Sequence, residues 1–294
     1  MKTILLTAST GMLGSMLYQV LKEKYHLVLL YHDSEKLKAL ESAYGSTEDH
    51  RTLQYDLMNL FSDYQEGFCN RTGPRLQSFI ETIGPVDAVV QCAGVTNRYS
   101  AIDPLKTFFL NSALPVLLSN EYKEKLIHVT TDCVYNGIVG APYIERAPHT
   151  PRDLYGLTKS LGEPSENSLV LRTSFVGPEV SDFVGLISWF LNQSGKKIKG
   201  FTNHYWNGIT TRELGRIIDT ILTNRSEFPR IGLYHLFSND ISKYDMLVKF
   251  QRKYAIDVDI TPIESQPVDR RLGSVHGVCR QLAVPEFDEM LAAL

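Results

Sequence analysis

Three side chains frame the chemistry open to this 294-residue chain: a hydroxyl, a phenol and an ammonium. Residues 126–135 read Leu-Ile-His-Val-Thr-Thr-Asp-Cys-Val-Tyr, an apolar run ending in two hydroxyls. That pattern suits the carboxyl end of a buried strand, with Thr131 at its tip. A polar, proline-containing loop follows, then Leu154-Tyr155-Gly-Leu-Thr-Lys159-Ser-Leu-Gly-Glu163. Tyr155 and Lys159 stand four residues apart, so on a helix they share one face. Converging, the three groups make a proton-transfer site for a carbonyl or an alcohol. A phenol with its ordinary pKa of about 10 is a poor proton donor or acceptor at neutral pH. A neighbouring ammonium favours the phenolate, so the spacing predicts that Lys159 lowers the pKa of Tyr155.

The spacing alone does not single this pair out. Tyr18 and Lys22 repeat it in an earlier helical stretch, where an apolar Tyr face and a solvated Lys are expected. Context separates the two copies. Tyr155 follows a strand-end hydroxyl and a loop; Tyr18 does not.

The elements that must position the trio read as alternating strands and helices. An apolar run at Thr3–Thr7 leads into Ala8-Ser-Thr-Gly-Met-Leu-Gly14, then a helical pattern with Leu13, Met16, Leu17, Val20 and Leu21 on one face. Next come a strand at His26–Tyr31 and a helix at Asp33–Tyr44. Strand, glycine turn, helix, strand opens a nucleotide-binding α/β unit, in which amides at the helix start hold a pyrophosphate. Alone, such a turn is as readily an ordinary βα connection. A short strand at Thr52–Asp56 ends in an acid that either accepts from an adenine amino group or caps a turn. Residues 57–75 read as an irregular excursion, followed by a helix at Leu76–Ile83. The strand Val86–Gln91 ends in Cys92-Ala93-Gly94, small residues that let a ribose or nicotinamide pack on the backbone, or simply pack closely. A helix at Pro104–Ser119 carries Asn111 among apolar neighbours, and a buried Asn needs partners. Leu169–Thr173 is a further strand.

This alternation predicts an α/β fold, a doubly wound parallel sheet of Rossmann type whose ligands bind at the carboxyl ends of the strands. Reduced nicotinamide would then reach Thr131, deliver hydride to the carbonyl carbon, and leave Tyr155 to supply the proton. After about residue 175 the rhythm changes. Helices are expected at Phe183–Asn192, Thr211–Leu222 and Ser242–Tyr254, a polar and aromatic stretch at Ile198–Gly208, and a short strand at Gly232–Leu236. The expected division is a dinucleotide-binding domain over 1–175 and a small C-terminal substrate-binding lobe over 176–294, partly returning to the main sheet.

Composition agrees with a globular chain: 43% hydrophobic, 21% charged, net charge −3. No basic excess points to nucleic acid or an anionic membrane. Cys69, Cys92, Cys133 and Cys279 are scattered without a CxxC pair, which argues against a zinc site or disulfides; no metal is expected, and a reducing cytoplasm is the expected location. The N-terminal apolar run is too short for a signal-peptide core, and no run reaches membrane-spanning length.

Five segments carry a resemblance: Thr7-Ala-Ser-Thr-Gly-Met-Leu-Gly14, Val129-Thr-Thr-Asp-Cys-Val-Tyr-Asn-Gly137, Gly140-Ala-Pro-Tyr-Ile-Glu145, Tyr155-Gly-Leu-Thr-Lys159-Ser-Leu-Gly-Glu163 and Leu171-Arg-Thr-Ser-Phe-Val-Gly177. In this order they resemble the extended short-chain dehydrogenases/reductases, nearest the dTDP-4-dehydrorhamnose reductase branch. The resemblance implies Thr131, Tyr155 and Lys159 as the catalytic triad. It implies Thr10, Gly11, Met12, Leu13 and Gly14 as the pyrophosphate loop, and Asp56 and Leu57 at the adenine. Cys92, Ala93 and Gly94 would form the nicotinamide-ribose wall, Asn111 the structural Asn, and Phe175 an aromatic near the sugar with Thr131. Arg172 and His204–Asn207 are weaker site candidates, better read as an ion pair and lobe packing. The implied activity is reduction of a 4-keto or similar sugar nucleotide for surface polysaccharide synthesis. NADP is favoured by the resemblance over NAD, and a homodimer is open.

The chain departs from the pattern in three places. Ala8 stands where the first glycine usually does. Cys133 replaces a common Tyr. Tyr31-His32-Asp33, with Lys36 nearby, carries no clean signature for cofactor choice. A dehydratase wants Thr-Asp-Glu, and Thr131-Asp132-Cys133 lacks the Glu. Epimerisation in the same superfamily stays open, as does a non-catalytic NADP-binding regulatory subunit.

Overall fold

Seven strands pair side by side; the inner five are apolar runs too hydrophobic to leave a face in water, while the two edge strands are more exposed. The seven are β1 (Thr3–Leu6), β2 (His26–Tyr31), β3 (Arg51–Gln54), β4 (Ala88–Gln91), β5 (Leu126–Thr131), β6 (Leu169–Thr173) and β7 (Gly232–His235). The computed structural model describes residues 1–67 and 72–294. The sheet order is β7-β6-β5-β4-β1-β2-β3, and every neighbouring pair is parallel. Chain direction across the sheet reverses between β1 and β4, the place where a doubly wound sheet opens a crevice at its strands' carboxyl ends.

Helices cover both faces. α1 (Met12–Leu21) and α2 (Ser34–Tyr44) follow β1 and β2, and α3 (Pro74–Ile83) precedes β4. A long helix, α4, spans residues 104–122 before β5, and α5 (Leu154–Leu161) precedes β6. α6 (Thr211–Thr223) packs on α1, with Leu13, Leu17, Ile217 and Ile221 in one apolar cluster. Leu76, Phe79, Leu114 and Leu117 fill a second cluster on the opposite face.

The C-terminal stretch contributes to the same sheet: β7 pairs with β6. The rest forms short ladders. Lys197–Phe201 pairs with Asp259–Ile263. His204–Trp206 lies between Ile241–Ser242 and Val268–Asp269. α7 (Lys243–Tyr254) starts from Ser242, whose hydroxyl accepts from the amide of Asp245 at 3.0 Å.

Several elements differ from their sequence-based expectation, each for a local reason. Residues 57–75 are not irregular throughout: a 3-10 turn at Leu57–Leu60 and a helix at Phe61–Gln65 occur there. Asp56 caps the turn, and Phe61 packs edge-on against Phe109 at 5.2 Å. Cys69 and its neighbours 68, 70 and 71 lie outside the described residues; Cys92, Cys133 and Cys279 are free thiols. The helix expected from Phe183 begins only at Leu186, because Asp182 and Phe183 have φ of 60° and 51°. The polar and aromatic stretch Ile198–Gly208 takes up most of one strand, Lys197–Phe201, and all of a second, His204–Trp206. α4 continues to Tyr122 and widens into a π turn at Phe109–Ala113. Pro115 has no N–H to donate to the carbonyl of Asn111, so the ladder is already broken there.

No helix among the described residues is long and apolar enough to cross a membrane.

Candidate active site

At the crevice beside β1 and β4 the structure opens a cleft of about 870 Å³, within the size range of small-molecule sites. Gly11, Met12, Leu13 and Gly14 line it together with Cys92, Gly94, Thr131, Tyr155, Lys159 and Phe175. The proton-transfer trio and Gly11–Gly14 of the glycine turn therefore meet in one cavity.

Each chemical group is aimed by its backbone. Thr131 is the last residue of β5; its hydroxyl accepts from the amide of Cys133 and donates to Asp132 Oδ1, both at 3.2 Å. α5 is started by Asp153, whose carboxylate accepts from the amide of Gly156 at 2.8 Å. A Cβ on Gly156 would stand 2.2 Å from the carbonyl oxygen of Cys133. Only glycine lets the first turn of α5 lie on the 132–134 turn, and this contact brings Tyr155 beside Thr131. One turn on, Lys159 reaches over the turn after β4: a Cβ on Gly94 would stand 2.8 Å from Lys159 Nζ and 2.8 Å from Asn111 Oδ1. Asn111 accepts from the amide of Val95 at 2.8 Å and donates to the Val95 carbonyl at 3.0 Å and to Thr158 Oγ1 at 3.1 Å. It thereby ties α4, the turn after β4 and α5 together behind the cleft.

The electrostatics differ from the expected lowering of Tyr155. Burial pushes its phenol above the usual value, the charges of Cys133, Asp132 and Asp153 add to this, and the hydrogen bond with Thr131 opposes it. Desolvation of the phenolate dominates, so Tyr155 holds its proton at neutral pH. Lys159 is pulled down to about 8 by burial, against the charges of Cys92 and Glu163. Burial raises Asp132, with Arg270 and Lys243 opposing, and pushes the Cys92 thiol up to about 12.

The glycine turn closes without its usual first glycine. Ala8 itself takes the left-handed conformation, φ 49°, which costs an L residue roughly 1–2 kcal/mol. The amide of Gly11 donates to the Ala8 carbonyl at 3.0 Å. Gly11 offers α1 no side-chain cap, so the first amides of the helix have no partner within it.

Other singled-out residues stand off the cleft wall. Thr10 and Ala93 are buried behind it. Asp56 caps the turn after β3, accepting from the amide of Met58 at 2.9 Å, and Leu57 packs in the second apolar cluster. Asn111 acts from behind, as described. Arg172 is fully buried, paired with Glu163 and hydrogen-bonded to Tyr135, His149 and His235. His204 bonds Ser265, Trp206 packs on Phe287, and Asn207 bonds the backbone of Leu272.

The cleft also contains Glu179 and Asp182, which sequence reasoning passed over, and Asp132 and Lys36, which it named without placing them in the site. Asp132 was legible as a neighbour of Thr131. The others come from segments that only the fold brings to the crevice.

A doubly wound sheet with a Tyr-x-x-x-Lys helix at its switch point, and a C-terminal stretch closing the cleft, defines an extended Rossmann-type architecture. The chain belongs to the RmlD substrate binding domain family, which it matches over residues 1–272. Among curated proteins it is 22% identical over 273 residues to the spore coat polysaccharide biosynthesis protein SpsK of Bacillus subtilis, covering 90% of this chain and 84% of that one. Among solved structures it resembles a hypothetical dTDP-4-dehydrorhamnose reductase from Sulfolobus tokodaii, with TM-score 0.72, 22% identity, and coverage of 98% and 96% of the two chains. A dTDP-4-dehydrorhamnose reductase from Bacillus anthracis, solved in complex with NADP, superposes with TM-score 0.66 at 16% identity, over 99% and 98% of the chains.

Proposed function

We propose that this protein is an NADPH-dependent reductase of a keto-sugar nucleotide serving surface polysaccharide synthesis. The observation that carries the proposal is the convergence of Thr131, Tyr155 and Lys159 with the Gly11–Gly14 loop in one cleft. Family membership and the polysaccharide and rhamnose-reductase names of its relatives support the substrate class.

The cleft fits a dinucleotide. The start of α1 offers uncapped amides for a pyrophosphate, and Gly94 leaves backbone room beside Lys159 that any side chain would fill. When bound, a reduced nicotinamide supplies hydride to the substrate carbon. The chain's own residues do the rest. Lys159, largely an ammonium below pH 8, holds a ribose hydroxyl and favours negative charge nearby. Thr131 donates to the carbonyl oxygen and positions it. Tyr155, kept protonated by burial, gives its proton to that oxygen as negative charge develops. A phenol that retains its proton suits the reductive direction. Phe175 lines the wall on which a sugar would pack.

The test is consumption of NADPH or NADH, followed by the absorbance of the reduced nicotinamide, against a panel of 4-keto-6-deoxy sugar nucleotides. Turnover that disappears in Tyr155→Phe supports the reductase. Tight cofactor binding with no oxidation by any sugar nucleotide would instead establish a binding or regulatory role.

A further inference from the structure

A second charged feature lies in the cleft away from Tyr155. Lys36 stands in the first turn of α2, just after β2, and Asp182 stands in the strap between Val176 and Leu186; both line the cleft. Lys36 Nζ donates to Asp182 Oδ1 at 2.7 Å and to Oδ2 at 2.5 Å. The pair joins residues 146 positions apart in the chain and so bridges the two walls.

Neighbouring charges are already engaged. Asp33 accepts from the amide of Glu35 at 2.8 Å and caps α2. His32 stands 3.6 Å from Asp56. Glu179, the other acid of the strap, accepts from the amide of Gly185 at 2.6 Å and from Ser188 Oγ at 3.0 Å. The strap itself is held in an unusual shape, with Asp182 and Phe183 in the left-handed region.

In a doubly wound sheet the adenosine ribose of a dinucleotide lies at the end of β2. A carboxylate there favours the free 2′-hydroxyl, and a cation favours a 2′-phosphate. This chain brings one of each to that place, from opposite halves of the molecule. The side chains of Lys36 and Asp182 are 34% and 46% exposed, and so exposed an ion pair is easily exchanged for another anion.

We propose that Asp182 is a specificity-determining residue that competes with the cofactor's 2′-phosphate for Lys36. The phosphorylated dinucleotide binds by separating the pair and displacing the strap. The unphosphorylated one leaves the pair closed and hydrogen-bonds to it. The inference rests on the reading that this cleft holds a nicotinamide dinucleotide.

Calorimetric titration of the intact protein with NADP, NAD, 2′-phospho-ADP-ribose and ADP-ribose tests it. Asp182→Asn keeps a residue type that tolerates the left-handed backbone. It is expected to tighten both 2′-phosphorylated ligands about tenfold relative to their partners, the scale of one charge-assisted hydrogen bond. Lys36→Gln is expected to weaken the same two ligands about tenfold and spare the others. In the Lys36→Gln background, Asp182→Asn should lose most of its effect. Unchanged ligand ratios in Asp182→Asn overturn the inference while leaving the proposed function standing. Failure of all four ligands to bind the wild type overturns the proposed function itself.

Discussion

The two Tyr-x-x-x-Lys pairs of this chain share spacing and helical setting yet have opposite fates. On α1, Tyr18 is fully buried and donates to the carbonyl of Gly45 at 3.1 Å and to that of Ser46. Lys22 donates to the carbonyl of Tyr44 at 2.5 Å. Both polar tips are spent on fastening the end of α2. On α5, Tyr155 and Lys159 face the cleft beside Thr131. The difference lies in what each helix face meets. α1 turns its Tyr–Lys face towards the end of a neighbouring helix, whose last carbonyls lack partners. α5 is drawn by Gly156 onto the turn after β5, which leaves its Tyr–Lys face against the crevice. Spacing creates a pair, and packing decides whether it is a clasp or a site.

The largest expected effects fall on the cleft pair. Tyr155→Phe should lower kcat/KM by roughly 10²–10⁴, the usual worth of a positioned proton donor, with little change in thermal unfolding. Steady-state rates beside a melting curve check this. If activity survives within a few-fold, Tyr155 is another clasp and the comparison collapses.

Lys159→Met separates the pairs by a different signature. The Lys159 ammonium is disfavoured by burial, with its pKa near 8 rather than the ordinary value of 10.5. Below pH 8 both folded and unfolded chains carry the proton. Between about 8 and 10.5 the unfolded chain keeps it and the folded chain does not, so this group makes stability rise with pH across that window. Activity should move the other way, falling as the ammonium is lost above pH 8. In Lys159→Met the rate should be low throughout, and the pH-dependent gain in melting temperature relative to wild type should disappear. A wild-type rate that stays flat from pH 7 to 10 would remove Lys159 from the chemistry.

Much of this was legible in the sequence because short-range rules carried it. The five inner strands are apolar runs of ordinary length, and Ser242 and Thr210 announce α7 and α6 through their caps. Thr131 was legible because a strand end can be read from an apolar run. Other features depend on distant approach. Gly156 looks like a weak helical residue until Cys133 lies against it. The sign of the Tyr155 shift follows from how much protein covers the phenol, which spacing does not encode. Lys36 and Asp182 belong to unrelated segments until the cleft forms. Ala8 could be recognised as a departure, but that it bends to a positive φ is a property of the closed turn.

The smallest effect belongs to the clasp. Tyr18→Phe removes one donor from two carbonyls and leaves the ring packed edge-on against His50, at 5.7 Å. The carbonyls of Gly45 and Ser46 keep access to water at the edge of the molecule, as Gly45 and Ser46 are exposed. The loss should therefore stay near the net value of a hydrogen bond, about 1 kcal/mol, and not reach the full penalty of buried unsatisfied groups. Lys22→Met should cost no more, since its ammonium can also be replaced by water at the exposed tip of the helix pair. Denaturant unfolding measures both changes, and kcat/KM should match wild type in each. A drop in activity without a drop in stability would show that the α1 pair reaches the cleft through the glycine turn it follows, and the division between clasp and site would then have to be redrawn.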